Sequence, residues 1–197
     1  MNFNNAKFTA SYGLLKQIPV SNRIEIVFAG HSNVGKSSLI NKVLNRKSIA
    51  KVSATPGKTT TINFFEVENI YLVDLPGYGY AKVAQGEKDR WNKLINGYLS
   101  AGRDIALTFM LIDYRHAPTK EDLKMIDFLI DNELPLVLVL TKADKLSKCE
   151  RQKRLCEFEN EIDSFSDIHK IEFSSQTGEG VEELRQIIEE ISMEENE

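Results

Sequence analysis

Residues Gly30-His31-Ser32-Asn33-Val34-Gly35-Lys36-Ser37 follow the pattern G-x-x-x-x-G-K-S. This pattern suits the binding of a polyphosphate. Glycines let the backbone wrap phosphates with N–H groups inward, and the helix that follows adds its positive end. Lys36 is expected to reach the β- and γ-phosphates, and the Ser37 hydroxyl to ligate Mg²⁺. The flanks agree. Ile24–Ala29 reads as a buried strand and Ser37–Leu44 as the first turns of a helix. Strand, glycine loop and helix are the context in which this pattern carries its chemistry.

Further segments fall in the order that a guanine-nucleotide switch needs. Asp74-Leu75-Pro76-Gly77 carries D-x-x-G at a strand end. The carboxylate can hold Mg²⁺ through a water, and the Gly77 N–H can contact a γ-phosphate, present only before hydrolysis. Thr141-Lys142-Ala143-Asp144 reads T-K-x-D after an apolar run. A carboxylate only accepts, so Asp144 can take both N–H donors of guanine's N1 and N2 edge. Adenine presents no such pair and would leave the charge unpaired. Lys142 can lay its stem along the base and brace the phosphate loop. Phe173-Ser174-Ser175 closes a later strand, where a backbone N–H can meet guanine O6. Between the phosphate loop and D-x-x-G lies Lys51–Thr61, rich in Gly, Thr and Lys. A threonine here can complete the Mg²⁺ shell, and chemistry alone does not choose among Thr59, Thr60 and Thr61.

Short apolar strands and helical stretches must hold these groups. Strands are predicted at 23–29, 61–67, 70–74, 105–112, 135–140 and 168–173, and helices at 36–45, 87–100, 119–132, 147–161 and 180–192. This alternation signals an α/β fold with a largely parallel sheet, here of six strands. Trp91, Leu94, Ile95 and Tyr98 form one buried helical stripe. Leu123, Ile126 and Ile130 are expected to form another. Three regions follow: an arm over 1–22 packed on the core, a nucleotide-binding domain over 23–192 and an acidic tail over 193–197.

Composition excludes other classes. At 197 residues the length suits one domain. A net charge of −4 argues against a protein that coats nucleic acid, though not against a local basic face. The run from Leu134 to Leu140 is too short to span a bilayer. The first residues do not form a charged segment followed by an apolar one, so no signal peptide is expected. A cytoplasmic monomer without membrane attachment is the expectation. Cys149 and Cys156 lack a CxxC spacing and read as ordinary thiols.

With these segments in place, the chain resembles the EngB (YihA/YsxC) family of bacterial ribosome-biogenesis GTP-binding proteins. These belong to the TrmE-Era-EngA-EngB-Septin-like GTPases. The resemblance runs from about Ile18 to the C-terminus. It is most specific in Gly30–Leu39, Thr55-Pro56-Gly57-Lys58-Thr59 with Ile62-Asn63-Phe64-Phe65, Asp74-Leu75-Pro76-Gly77-Tyr78-Gly79-Tyr80-Ala81, and Leu111–Thr119. It implies a P-loop NTPase fold: a three-layer α/β/α sandwich whose mostly parallel sheet has one antiparallel edge strand. It implies Thr59 as the Mg²⁺-binding threonine within a Gly57–Thr61 nucleotide-contacting segment. It further implies a GTP-driven role in late assembly of the large ribosomal subunit, with GTP and Mg²⁺ bound. Normal cell division and septation would depend on that role. His31, Thr60-Thr61 and Ala117 depart from the family pattern without touching the Lys, Ser, Thr or Asp roles.

The candidate catalytic groups are Lys36, Thr59, Gly77 and Asn33. In many GTPases a glutamine after D-x-x-G positions the attacking water. Here that position is Tyr78, so intrinsic hydrolysis is expected to be slow. Two readings of Asn33 stand side by side. It resembles the residue that coordinates K⁺ in cation-dependent GTPases, and it is also a residue favoured by turn geometry. Segments 46–60 and 76–86 read as the two switches. They carry Arg46, Lys47, Lys51, Lys58 and Lys82, a basic set that suits ribosomal RNA phosphates. The competing readings are a metabolic P-loop kinase and a GTP-binding interaction protein acting directly at the division septum. T-K-x-D and the lack of a second-substrate motif disfavour the kinase.

Overall fold

The computed structural model describes residues 1–50, 61–79, 85–162 and 165–194. In chain order the elements are β1 (Lys7–Tyr12), β2 (Glu25–Gly30), α1 (Lys36–Val43), β3 (Ile62–Val67), β4 (Ile70–Asp74) and α2 (Gln85–Leu99). They continue with β5 (Ile105–Asp113), α3 (Lys120–Asp131), β6 (Leu136–Thr141), α4 (Lys148–Glu161), β7 (His169–Phe173) and α5 (Val181–Glu194). The strands form one sheet in the order β1-β3-β4-β2-β5-β6-β7. Pairs from β4 to β7 are parallel. β2, at the centre, is buried at every position, the continuous run that helices on both faces require.

The mixed three-layer arrangement is the expected one, with two corrections. The sheet has seven strands, not six, because Lys7–Tyr12 of the N-terminal arm is a strand of the sheet itself. The strand that runs against the others is β3. It is not at the edge: β1 covers it, pairing from Lys7↔Glu66 to Tyr12↔Ile62. β1 is half exposed and shows no clean alternation. Its identity comes from a partner strand that lies fifty or more residues away.

Helices α2, α3 and α4 cover one face. Leu94, Ile95, Tyr98, Ile126, Leu129 and Phe158 pack there against Val27, Val73 and Met110. Helices α1 and α5 cover the other, with Leu39, Ile40, Leu184 and Ile188 against Ile26, Phe28 and Phe109. The α2 stripe, Trp91 to Tyr98, is buried throughout. The expected α3 stripe holds at Ile126, and Leu123 packs against the core, but it fails at Ile130. Ile130 is 40% exposed, and the buried line is Asp122, Met125, Ile126 and Leu129. These recur at i, i+3, i+4 and i+7, so Ile130 falls one residue beyond the buried face.

Glu25, fully buried at the start of β2, accepts from Arg103 Nε (2.8 Å) and Nη2 (2.6 Å) and from the Tyr98 hydroxyl (2.5 Å). This cluster joins α2 and the entry to β5 to the central strand. Arg103→Ala would leave the carboxylate buried without its cation, at a cost of about 3–5 kcal/mol. A chemical denaturation midpoint should fall accordingly.

The parallel strands end side by side. Phe28 pairs with Asp74, Gly30 with Leu111, Asp113 with Thr141, and Thr141 with Phe173. The C-terminal ends of an open α/β sheet form the crevice where ligands bind. The separated motifs meet there.

Candidate functional site

β2 ends at Gly30 and α1 begins at Lys36, so the phosphate loop fills the turn between them. Asn33 (φ 61°) and Gly35 (φ 113°) adopt left-handed backbone. For Asn33 this is the conformation that the turn-geometry reading requires. Gly35 is the N-cap of α1 and supplies no side-chain cap. The N–H groups of the first turn are therefore left for an anion.

The D-x-x-G segment lies against this loop. Leu75 N donates to Phe28 O (3.1 Å) and Ser32 N donates to Tyr78 O (2.8 Å). A Cβ at Gly77 would stand 3.0 Å from Ser32 Cα and 3.2 Å from Ser32 N, so a larger residue would force the two loops apart. Lys36 and Asp74 form an ion pair, with side chains 10% and 5% exposed. Asn63 Nδ2 also reaches Asp74 (3.4 Å), and Thr61 donates to Asn63 Oδ1 (3.1 Å). Among the described residues no group of three or more His, Cys, Asp or Glu could hold a metal. The Ser37 hydroxyl and the Asp74 carboxylate are hard oxygen donors that fit Mg²⁺. Gly57, Lys58, Thr59 and Thr60 lie outside the described residues.

The T-K-x-D segment is tied to the same loop from the other side. The Thr141 hydroxyl lies 2.8 Å from Val34 O and 3.1 Å from Ile112 O. Lys142, itself left-handed (φ 63°), donates to Asn33 O (3.0 Å) and to Asp113 Oδ2 (2.8 Å). Asp113 was not among the sequence-predicted site residues, although it ends β5 at the crevice. Nor was Asn63. Burial alone would raise the Asp113 carboxyl, but hydrogen bonds from Arg115 and Lys142 outweigh it and hold the group well below the usual carboxylate range. A carboxylate depressed on folding adds stability that is complete above its unfolded pKa of about 3.9 and is lost as pH falls towards the folded value. Asp113→Asn should therefore cost about 1–2 kcal/mol, constant between about pH 8 and about pH 5. The gap from the parent should narrow below about pH 4. Urea unfolding across that range checks the sign.

Asp144 receives the Ser174 hydroxyl at 2.7 Å and Lys145 Nζ at 3.2 Å. The Ser174 bond lowers the Asp144 pKa, so an acceptor-only carboxylate stands at the strand end. Ser174 Oγ in turn accepts from the N–H groups of Gln176 and Thr177 (both 3.2 Å), which fixes the orientation of the serine that orients the aspartate. Val34, Leu75, Ala143 and Phe173 are buried in the core. What these four can offer a nucleotide is backbone.

The Tyr78 ring meets His31 of the phosphate loop edge to face, with centroids 5.9 Å apart. Its hydroxyl donates to Asp122 Oδ1 at 2.7 Å, and the ring is 7% exposed. Burial, with Asp122 beside it, holds the phenol well above its ordinary pKa. It stays a neutral donor.

A family model described as 50S ribosome-binding GTPase matches residues 25–142. A probable GTP-binding protein EngB from Natranaerobius thermophilus is 47% identical over 192 residues, which cover 97% of this chain and 100% of that one. The chain belongs to the EngB family of GTP-binding proteins. A probable GTP-binding protein EngB from Chlorobaculum tepidum is 51% identical over 154 residues, 78% of this chain and 80% of its own. The fold agrees as well. A crystal structure of a probable GTP-binding protein engB superposes with a TM-score of 0.70, covering 86% of this chain and 99% of that one at 23% identity. As an EngB-family member the chain is a GTP-binding protein with a GTPase domain. Among the described residues no helix is long and apolar enough to cross a membrane.

Proposed function

We propose that this EngB-family protein is a slow GTPase that acts as a nucleotide-dependent switch in late assembly of the large ribosomal subunit. The observation that carries the nucleotide part is the double brace of the phosphate loop. Thr141 holds it through Val34 and Lys142 through Asn33, so the groups suited to a guanine base and those suited to a triphosphate share one rigid edge. In this reading Gly30–Ser37 wraps the phosphates, Lys36 meets the β- and γ-phosphates, and Asp144 with Ser174-Ser175 selects guanine. Ser37, Thr59 and, through water, Asp74 hold Mg²⁺, which would neutralise charge on the transferred phosphoryl group.

Slow turnover follows from Tyr78, whose hydroxyl is committed to Asp122 and cannot orient a water. K⁺ is proposed to supply the missing charge at Asn33. Single-turnover hydrolysis should then be faster in K⁺ than in Na⁺, and Asn33→Ala should erase the difference. Equal rates in the two salts would leave Asn33 a turn residue.

The ribosomal part is supported by the description of the matching family model and by the basic residues of the switch segments, Arg46, Lys47, Lys51, Lys58 and Lys82. Effects on septation would then follow from ribosome supply. Co-sedimentation with purified large subunits, in GDP and in a non-hydrolysable GTP analogue at two salt levels, tests it. Pelleting should require the analogue and weaken with salt. Failure to pellet in either state, with GTP binding intact, would shift the case to a direct role at the septum.

A further inference from the structure

The first residues after Asp74 are clamped at successive points. Gly77 lies so close to Ser32 that a Cβ on it would stand 3.0 Å from Ser32 Cα. Tyr78 O accepts from Ser32 N, and His31 and Tyr78 form a parallel β-bridge. Gly79 has φ +79°, and a Cβ there would fall 1.8 Å from His31 Nε2, so the imidazole covers its Cα. The outward end of the clamp is the Tyr78 phenol. It donates to Asp122 Oδ1, while Asp122 Oδ2 accepts from the Thr119 N–H (2.9 Å) and hydroxyl (2.8 Å). Asp122 is thus the third residue of α3, closing its capping box, and it is buried. One carboxylate satisfies a helix start and fixes a loop residue 44 positions earlier in the chain.

We propose that Tyr78 is a positioning residue. Its bond to Asp122 holds the Gly77 N–H where a γ-phosphate would meet it, and this anchor sets how strongly the protein prefers GTP over GDP. The inference rests on Gly77 being the γ-phosphate contact. An N–H already held in place loses little freedom when it binds, so the third phosphate is recognised more tightly. Without the phenol the ring can still pack, and the contacts to His31 and Ser32 remain, but the backbone of residues 77–78 loses its tie to α3. GDP makes no use of the Gly77 N–H and should not notice the change.

The test is equilibrium titration of the full chain with fluorescent GDP and with a fluorescent non-hydrolysable GTP analogue, both with Mg²⁺. Tyr78→Phe should lower affinity for the analogue about tenfold, the scale of one hydrogen bond to a charged group. Affinity for GDP should stay within about twofold. Asp122→Ala breaks the same bond from the other side and should lower the ratio as far. The double variant should show no additive loss. Thr119→Ala weakens the helix cap but spares the phenol's acceptor, so it should lower the melting temperature and leave the ratio unchanged. Equal losses for both nucleotides in Tyr78→Phe, or an unchanged ratio, would overturn the proposal. So would a Thr119→Ala ratio as low as that of Tyr78→Phe. Gly77→Ala serves as the reference: if it too leaves the ratio unchanged, the assignment of Gly77 is what fails.

Discussion

Lys36→Ala is expected to weaken GTP binding by two orders of magnitude or more while the chain stays folded. The lysine is nearly buried and its ammonium is paired with Asp74, itself 5% exposed. An amine held in a desolvated crevice interacts with phosphate far more strongly than one in water. Losing such a charge-assisted contact costs about 3 kcal/mol, which is roughly a hundredfold in affinity. Among the described residues, the same substitution leaves the Asp74 carboxylate only the long contact from Asn63 (3.4 Å). A modest loss of stability, about 1–3 kcal/mol, should accompany the binding defect. The two effects separate cleanly. Titration with fluorescent GTP reports the first, and a denaturation midpoint without nucleotide reports the second. Binding within about threefold of the parent would remove Lys36 from the site.

Asp144→Asn is expected to exchange guanine for xanthine. Asp144 is an oriented acceptor, with Ser174 donating to one oxygen at 2.7 Å. Guanine offers two N–H donors to a carboxylate in this position. An amide would face the N2 amine with its own N–H₂, placing donor against donor. Two hydrogen bonds to a charged group are at stake, at roughly 1.5–3 kcal/mol each. A loss of about a thousandfold for GTP lies within that range. Xanthine carries a carbonyl where guanine carries the amine, so an asparagine can donate to it. Xanthosine triphosphate should bind the variant better than GTP does, reversing the order in the parent. Ser174 can still donate to the amide oxygen, which keeps the loop closed. Competition between the two nucleotides for each protein measures the reversal directly. An unchanged order would place base selection elsewhere.

Much of the site was legible because its chemistry is local. Gly30–Ser37 needs only consecutive backbone torsions and two side chains on the first helical turn, and all of that is written within eight residues. D-x-x-G and T-K-x-D are equally compact. Six strands and five helices could be placed by period and apolar runs, since the central strands are buried at nearly every position. The edge strand β1 escaped because it is half exposed, and only β3 makes it a strand. Ile130 was misplaced on α3 because an apolar residue beside a buried stripe looks the same in sequence as one within it.

The sequence by itself determined which groups could handle phosphate and guanine, because spacing along one chain segment fixes their mutual geometry. Tertiary structure alone decided how those groups are held. Lys142 reaches Asn33 across 109 positions and Asp113 across 29, and Tyr78 reaches Asp122 across 44. Such partners have no signature in spacing. They are set by which strand ends the crossovers lay side by side, and by where the first turn of α3 lands against the loop after β4. The carboxylate of Asp122 could as well have been only a helix cap. Packing made it an anchor, because burial leaves a phenol hydroxyl few places to donate and a carboxylate oxygen is the best of them.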